Sequence, residues 1–317
     1  MGMDKSRAAD SHGWLILLLP PLLWAGNFIV GRAIRADVPP MMLAFARHVV
    51  AFACVLPFGW AVIRRDWRQY WRLRWLLVRT GLAGLAMFSV LVYIGLHHTT
   101  AANGQLLNST IPVLVLLLAG LFFGQKLGAR QVVGLALSCV GVLTIITHGD
   151  LAGLLALSFS EGDLIVFGAM ASFALYSLWL RSVPPSLSRI GLLTIQLGIT
   201  VVALLPLAVI EYWGGARTVW SATSVAAILY VGIVASLLAN LLYSVGVARI
   251  GPAKASLFIH LLPVYGALMA VGFLGESLHL YHAIGISVII AGLALSRTAP
   301  PATPAAGQSE GAPTRSA

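Results

Sequence analysis

The chain of 317 residues is 59% hydrophobic and 9% charged, and it carries a formal net charge of +10. Soluble domains have about 25% charged residues, so this chain lacks the polar surface that would keep it in water. The composition excludes a soluble enzyme or binding domain and indicates a protein whose solvent is the lipid bilayer. Because the basic residues stand in short connections between apolar runs, membrane topology explains the charge better than binding to nucleic acid does.

Ten apolar stretches are candidate membrane spans, since about 20 apolar residues cross the roughly 30 Å of hydrocarbon in a bilayer. Backbone groups inside a bilayer must bond within the chain, so each stretch is predicted to be a helix. The predicted fold is an all-α polytopic membrane protein. In chain order, the ten stretches are residues 14–33, 41–63, 75–96, 102–123, 131–147, 163–182, 190–212, 224–247, 253–274 and 281–295.

Lysine and arginine are distributed unevenly between the two sides of the predicted bundle. Cytoplasmic connections are enriched in these residues, so the basic side is predicted to be cytoplasmic, with both chain termini there, in a bacterial inner membrane. The connections of the opposite side hold most of the acidic residues. The basic side carries Arg64, Arg65, Arg68, Arg72, Arg74, Lys126, Arg130, Arg181, Arg189, Arg249 and Lys254.

The stretch 96–141 returns, diverged, as 247–292 at a constant offset of 151 positions. Each copy is part of a repeat of five predicted spans. Because five is an odd number, the second repeat must enter the membrane from the opposite side. This arrangement is typical of carriers that bind a solute near the midplane between two inverted repeats. The predicted organisation is a cytoplasmic segment 1–13, a first repeat 14–147, an outer loop 148–162, a second repeat 163–296 and a disordered tail 297–317. A central cavity is expected between the repeats.

Polar residues inside the spans are few, and each is costly to bury in a membrane. Gln105 and Asn108 share a face of the fourth span with Pro112, which suits hydrogen bonding to a polar ligand near a proline break. The alternative is hydrogen bonding between helices. In the ninth span, His260 stands close to Pro263 and is a candidate for ligand or proton binding.

Two further spans present polar or aromatic faces. On the eighth span Asn240 and Tyr243 follow helical spacing with two serines, which favours a cavity wall. On the sixth span Tyr176 and Trp179 continue an aromatic stripe from Phe173. Packing between helices is the alternative interpretation of that stripe.

Two basic residues fall within predicted spans. Lys254 lies near the basic end of the ninth span, where its side chain is expected to reach the interface. Arg47 lies six residues into the second span. It is predicted to reach the interface as well, or to bond a backbone carbonyl or an acid such as Glu276 or Asp163, in a structural or gating role.

Several classes of chemistry lack their motifs. The sequence has no Walker A, no dinucleotide-binding fingerprint, no HExxH and no GxSxG motif, which disfavours ATP-driven transport and common hydrolase chemistry. Cys54 and Cys139 have no metal or pairing spacing, and adjacent His97 and His98 point to different helix faces. No metal site and no cofactor are predicted. Since no acid lies deep in a span, exporters of lipophilic cations are also disfavoured.

These residues resemble the paired EamA repeats of the drug/metabolite transporter superfamily over about residues 14–296. Within it, the sequence is most similar to bacterial aromatic amino-acid exporters. In the first repeat Gln125 departs from the family pattern, which has an acid there. The resemblance implies a ten-helix basket of two inverted repeats around a central cavity, with export by alternating access. It is carried by Trp24-Ala25-Gly26-Asn27-Phe28, Ala44-Phe45-Ala46-Arg47, Pro112-Val113, Gly124-Gln125-Lys126-Leu127, Gly134 and Gly141, and by Ala255-Ser256-Leu257, Pro263-Val264, Leu274-Gly275-Glu276, Gly285 and Gly292.

The predicted function is export of amino acids, aromatic and other neutral ones, by a secondary transporter that is not an enzyme. Carriers of another solute, such as a nucleoside, sugar phosphate or drug, remain an alternative, as does a membrane receptor, scaffold or intramembrane enzyme. The coupling ion and the oligomeric state stay open, and a monomer is compatible with the sequence. The predicted substrate-binding residues are Asn27, Tyr93, Gln105, Asn108, Tyr176, Trp179, Asn240, Tyr243 and His260. The predicted structural or gating residues are Arg47, Pro112, Lys254, Pro263 and Glu276.

Overall fold

The computed structural model describes residues 13–34, 36–99, 101–125, 128–150, 160–274, 277 and 279–297. Every regular element in these ranges is helical. Two π-helical segments, Leu82–Met87 and Val231–Leu238, and a 3₁₀ turn, Phe258–His260, connect α-helices within the described ranges. The α-helices are α1 Leu19–Ala33, α2 Pro40–Arg65, α3 Trp67–Arg72, α4 Arg74–Gly81, α5 Phe88–His98, α6 Ala101–Asn108, α7 Ile111–Phe123, α8 Ala129–Ile146, α9 Glu161–Leu180, α10 Arg189–Trp213, α11 Ala222–Tyr230, α12 Ala239–Ile250, α13 Pro252–Leu257, α14 Leu261–Leu274 and α15 Leu280–Arg297.

Seven helical stretches of the described chain are long and apolar enough to cross a membrane, and Gly13–Asn27 and Leu280–Ser296 are apolar but shorter. The all-helical polytopic fold predicted from the sequence is therefore confirmed, whereas the count of ten spans stays a prediction. The seven are Pro40–Arg65, Arg74–Gly95, Leu106–Phe123, Ala129–Ile146, Glu161–Leu180, Arg189–Trp213 and Ala222–Ile250.

The outer faces of the helices expose large apolar side chains. Leu121 and Leu164 are each 76% exposed and Val202 is 73% exposed, as expected of residues whose solvent is lipid. Exposed tryptophans gather near both ends of the bundle, where membrane–water interfaces favour them. Among the described residues they are Trp60, Trp67, Trp71 and Trp75 toward one end, and Trp213 and Trp220 at the other.

The connections rich in arginine meet at one end of the bundle, which we call the basic end. There the hydroxyl of Tyr70 in α3 donates to the carbonyl of Ser188, just before α10 begins, at 3.3 Å. Burial raises the pKa of the Tyr70 phenol, so this donor keeps its proton. The short helix α3 lies between α2 and α4, where its tryptophans and arginines suit a headgroup-level anchor.

The opposite end is closed by hydrogen bonds between connections, and we call it the acidic end. Glu211 near the end of α10 accepts from the first backbone amides of α2, those of Met41 and Met42, at 3.1 and 2.8 Å. The amide of Val219 donates to the carbonyl of Asp37 at 2.8 Å. The bonds to Glu211 satisfy amides that α2 leaves free at its N-terminus. The bond of Val219 ties the connection after α1 to the one after α10.

Glycines let α8 and α15 pack closely in a reciprocal manner. A Cβ on Gly134 would lie 2.6 Å from the carbonyl oxygen of Gly292, and one on Gly141 would lie 2.7 Å from that of Gly285. Gly285 and Gly292 are the repeat counterparts of Gly134 and Gly141. Gly134 therefore contacts the counterpart of Gly141, and Gly141 contacts the counterpart of Gly134. This reciprocal pattern is that of a two-fold interface.

The helix interruptions also fall at counterpart positions. The fourth predicted span breaks at Ser109 and Thr110 before α7, and the ninth breaks at the 3₁₀ turn before α14. The prolines that follow, Pro112 and Pro263, are buried and have no amide hydrogen for the preceding turn. The two π-helical segments also occupy counterpart stretches of the third and eighth predicted spans.

Candidate functional site

A cluster of aromatic rings fills the interior where α1, α5, α9 and α12 meet. Phe173 of α9 is at its centre, with its ring centroid 5.2 Å from Phe88, 5.4 Å from Tyr176, 5.4 Å from Tyr243 and 5.8 Å from Trp24. These tilted or edge-on contacts are the geometry that aromatic pairs favour. The cluster occupies the position where the sequence predicts an open cavity, so in this conformation that position is filled by rings.

The two tyrosines of this cluster differ in their hydroxyl groups. Ser177 donates to the carbonyl of Phe173, so the bond of 2.9 Å between Tyr243 and Ser177 is donated by the tyrosine. The hydroxyl of Tyr176 is buried and has no hydrogen-bond partner in the described part of the chain. A buried polar group without a partner is costly, and it marks a place where a ligand or water gains a hydrogen bond.

The π-helical segment Val231–Leu238 presents carbonyl groups to this cluster. The indole of Trp24 donates to the carbonyl of Ala235 at 3.1 Å. The amide of Asn240 donates to the carbonyls of Ser236 and Ala235 at 2.8 and 3.3 Å. Single turns of π-helix release backbone carbonyls from the regular ladder and occur often at functional sites. In this conformation the side chain of Asn240 thus bonds to backbone carbonyls one turn earlier in its own span.

Arg47 is buried, with 8% of its surface exposed, so it does not reach the interface. Its Nε donates to the hydroxyl of Ser236 at 2.7 Å and its Nη1 donates to the hydroxyl of Tyr93 at 3.0 Å. Among the acids that the sequence offers as partners, Asp163 instead accepts from Thr99 and caps α9 with Ser160. Two neutral hydroxyls hold the guanidinium, where a carbonyl or an acid was predicted.

His260 links the two helix interruptions. Its side chain is fully buried, and its Nε2 lies 3.0 Å from the carbonyl oxygen of Ser109. A carbonyl only accepts, so Nε2 carries the proton, while the buried Nδ1 has no partner among the described residues. Ser109 is the repeat counterpart of His260, so the bond joins two equivalent points of the halves. Asn108, the residue before Ser109, is also buried.

A cavity of about 350 Å³ opens at the basic end. Leu180 and Val247 are part of its wall, and they stand one helical turn from Tyr176 and Tyr243. Trp14, which also lines it, contacts Phe258 with ring centroids 5.2 Å apart. The cavity wall therefore lies one helical turn from two rings of the aromatic cluster, whose own rings do not line it. Its charged lining residues are Arg181, Arg189, Arg249 and Lys254, and the Nη1 atom of Arg189 is buried without a partner in the described chain.

The other predicted site residues are placed as follows. The ring of Trp179 is faced by the guanidinium of Arg79 at 5.1 Å near the basic end, so Trp179 is not part of the cluster around Phe173. Asn27 is half-buried, and its Oδ1 has no partner in the described chain. The side chain of Gln105 and all of Glu276 lie outside the described residues.

Sequence reasoning missed several residues of this site. Trp24 and Phe88 join the aromatic cluster. Trp24 was recognised only as part of the family motif, and Phe88 has no aromatic residue at helical spacing. Arg189 was considered only as a marker of topology, because a position at the end of a span does not show that a side chain turns inward. Only the packing of distant helices reveals these roles.

Comparisons with known proteins agree with this architecture. A crystal structure superposes with a TM-score of 0.70 and 20% identity, covering 90% of this chain and 96% of the other. An uncharacterized transporter of Bacillus subtilis (strain 168) is 28% identical over 67% of this chain and 70% of its own length. A probable terminal-alkyne amino-acid exporter of Streptantibioticus cattleyicolor is 25% identical over 88% of this chain and 91% of its own.

The family model is matched twice, by residues 11–147 and by residues 160–298. The two matches together account for most of the chain, and they fall on the two halves whose counterpart glycines and helix interruptions contact one another. The resemblance inferred from the motifs is therefore confirmed, and with it the assignment to membrane transporters. The chain belongs to the EamA-like transporter family.

Proposed function

We propose that this transporter is a secondary carrier that exports amino acids across a bacterial inner membrane by alternating access between two inverted repeats. The observation that carries this proposal is the aromatic cluster between the helices of both halves, in which the hydroxyl of Tyr176 has no partner in the described chain and stands one helical turn from Leu180 in the cavity wall. Apolar rings with a few hydrogen-bonding groups suit a zwitterion that bears an apolar side chain. The amino-acid exporter of Streptantibioticus cattleyicolor supports the same substrate class.

The proposed cycle starts from the conformation described above, with access from the basic end, which we assign to the cytoplasm. The acidic end is held closed by the bonds of Glu211 to the start of α2. Binding would separate the rings of Phe173, Tyr176 and Tyr243, and the reciprocal contacts of α8 and α15 would guide the rocking of one half against the other. The predicted ligand groups Asn27, Gln105, Asn108, Asn240 and His260, together with the hydroxyl of Tyr176, would contact the ammonium group of the solute.

Uptake into proteoliposomes tests the substrate directly. The purified chain is reconstituted, and entry of labelled Trp, Phe, Thr and Leu is compared with entry into liposomes without protein. We expect saturable uptake of the aromatic amino acids, reduced several-fold in Tyr176→Phe. Absence of uptake for all four, with transport of a nucleoside or drug instead, would reject the amino-acid proposal and leave the carrier assignment intact.

A second candidate substrate class is favoured by one observation. Four basic side chains line the cavity at the basic end, which suits an anionic solute such as a sugar phosphate. Including a labelled sugar phosphate in the same uptake panel separates the candidates. Transport of that solute, with the amino acids excluded, would favour the anionic candidate.

A further inference from the structure

Arg47 places a positive charge inside the membrane. It lies seven residues after Pro40, where α2 begins, and therefore about 10 Å along the helix. A charged side chain at such a depth is costly unless it is compensated, and charges inside membranes mark solute pathways or proton relays. The 8% exposure of Arg47 excludes compensation by bulk water.

No carboxylate compensates this charge within the described residues. The ion pair found there joins Arg65 to Asp66 at the basic end. Glu211 is engaged by the first amides of α2, and Asp163 by Thr99 and Ser160. The groups that hold Arg47 are the hydroxyls of Tyr93 and Ser236, which orient the guanidinium and leave its charge uncancelled.

The position of Arg47 connects it with the proposed solute site. Ser236 follows Ala235, whose carbonyl accepts from Trp24 of the aromatic cluster. The guanidinium of Arg47 thus bonds to the π-helical segment at Ser236, one residue after the carbonyl that accepts from Trp24. The matching helix of the second half, α10, has no basic residue after Arg189 at its start, so only one half carries this cation and the pathway is electrically asymmetric.

We propose that Arg47, oriented by Tyr93 and Ser236, is the carboxylate-binding residue of this carrier, so that its solutes bear a carboxylate beside an apolar or aromatic part. The proposal rests on the carrier function proposed above and assigns the recognition of one group of the solute. A guanidinium offers paired N–H donors that match the two oxygens of a carboxylate. A bound carboxylate supplies the negative charge that the described residues do not.

The first test needs no variant. In proteoliposomes, uptake of labelled L-phenylalanine is challenged with unlabelled L-phenylalanine, L-phenylalaninamide, phenethylamine and 3-phenylpropionate. The amide and the amine keep the ring and the ammonium but have no carboxylate. We expect them to compete at least about tenfold more weakly than L-phenylalanine, whereas 3-phenylpropionate competes measurably. Equal competition by the amide and by L-phenylalanine would overturn the proposal.

Variants then assign the preference to Arg47. Arg47→Gln is expected to lose most uptake of L-phenylalanine and to bind L-phenylalanine and its amide with similar affinity in detergent, while Arg47→Lys retains part of the preference. Arg64→Gln is the matched control, because Arg64 lies on the same helix but is exposed at the basic end. If Arg47→Gln fails to fold, the milder Ser236→Ala should raise the KM for L-phenylalanine with little change for the amide. An unchanged ratio in the folded variants would contradict the role of Arg47.

The outcomes separate this proposal from the amino-acid assignment. Amino-acid uptake without preference for the carboxylate would refute the role of Arg47 and leave the exporter intact. Uptake of 3-phenylpropionate that depends on Arg47, with no uptake of any amino acid, would support the carboxylate site and refute the amino-acid substrate.

Discussion

At the residue scale, Tyr176 and Tyr243 have similar rings in one cluster but differ in the hydrogen bonding of their hydroxyl groups. Both rings pack on Phe173 and both are buried. The hydroxyl of Tyr243 is hydrogen-bonded to Ser177, while that of Tyr176 has no partner among the described residues. We therefore assign structural support to the first hydroxyl and solute binding to the second.

Replacing each tyrosine by phenylalanine tests this division. Tyr243→Phe should lower stability by about 1 kcal/mol, the usual net value of an internal hydrogen bond. Tyr176→Phe should be neutral or slightly stabilising, because it removes a buried group without a partner, yet it should reduce transport more. Thermal unfolding in detergent and uptake in proteoliposomes measure the two effects. A larger stability loss for Tyr176→Phe would contradict the assignment.

His260 provides a second residue-scale prediction. Its bond to the carbonyl of Ser109 links the interruptions of the two halves, and replacing this buried side chain by alanine deletes the bond and leaves a cavity. We expect His260→Ala to cost about 1–3 kcal/mol. His260→Gln keeps a side-chain donor and should cost less. Equal unfolding temperatures for His260→Ala and the wild type would show that the bond contributes nothing to stability.

The sequence was informative about individual residues only where polarity stands out against an apolar background. Tyr243, Asn240 and His260 were selected on this ground, and the structure places them in the interior between the halves. The partners of Arg47 were predicted wrongly, because acids are scarce in the chain and the one described candidate, Asp163, is used to cap its own helix. Which hydroxyl faces a buried cation depends on the packing of three helices.

At the element scale, local sequence rules account for the helices but not for all of their interruptions. A proline break was predicted in the fourth span, and Pro263 stands at the counterpart position of the ninth span. The π-helical segments Leu82–Met87 and Val231–Leu238 contain no proline, and nothing in their apolar sequences distinguishes them from regular helix. Contacts with neighbouring helices decide their geometry, as the bonds of Trp24 and Arg47 near Ala235 illustrate.

The close approach of α8 and α15 makes a prediction about glycine. A methyl group on Gly141 would lie 2.7 Å from a backbone oxygen of the facing helix, so the helices must separate. We expect Gly141→Ala to cost about 1–3 kcal/mol through overpacking. Gly266→Ala is the control, since a Cβ there meets nothing within 4 Å, and it should be neutral or stabilising. Similar unfolding temperatures for the two variants would contradict the packing argument.

At the scale of the whole molecule, access is asymmetric although the contacts between halves are reciprocal. The cavity of about 350 Å³ lies at the basic end, while the acidic end is closed by bonds such as that of Val219 to Asp37. In an inverted-repeat carrier, the opposite state exchanges the conformations of the halves. Counterparts of the residues that now line the cavity should then line an opening at the acidic end.

Arg189 in the cavity wall is the first residue of α10, and Pro40 is the first residue of α2 at the acidic end. Val38 lies two residues before Pro40 and is now 2% exposed. Ala253 lines the present cavity. With the free Cys54 and Cys139 replaced by serine, Ala253→Cys and Val38→Cys report on opposite ends of the pathway. Variants that retain uptake are suitable for labelling.

Labelling of these two cysteines by a membrane-impermeant thiol reagent, in vesicles of each orientation and under an amino-acid gradient, tests the central claim most directly. Alternating access predicts that Ala253→Cys reacts only from the basic side and Val38→Cys only from the acidic side. It also predicts that a gradient which slows one reaction speeds the other. Reaction of both cysteines from the same side, or parallel changes in the two rates, would contradict a carrier whose halves exchange conformations.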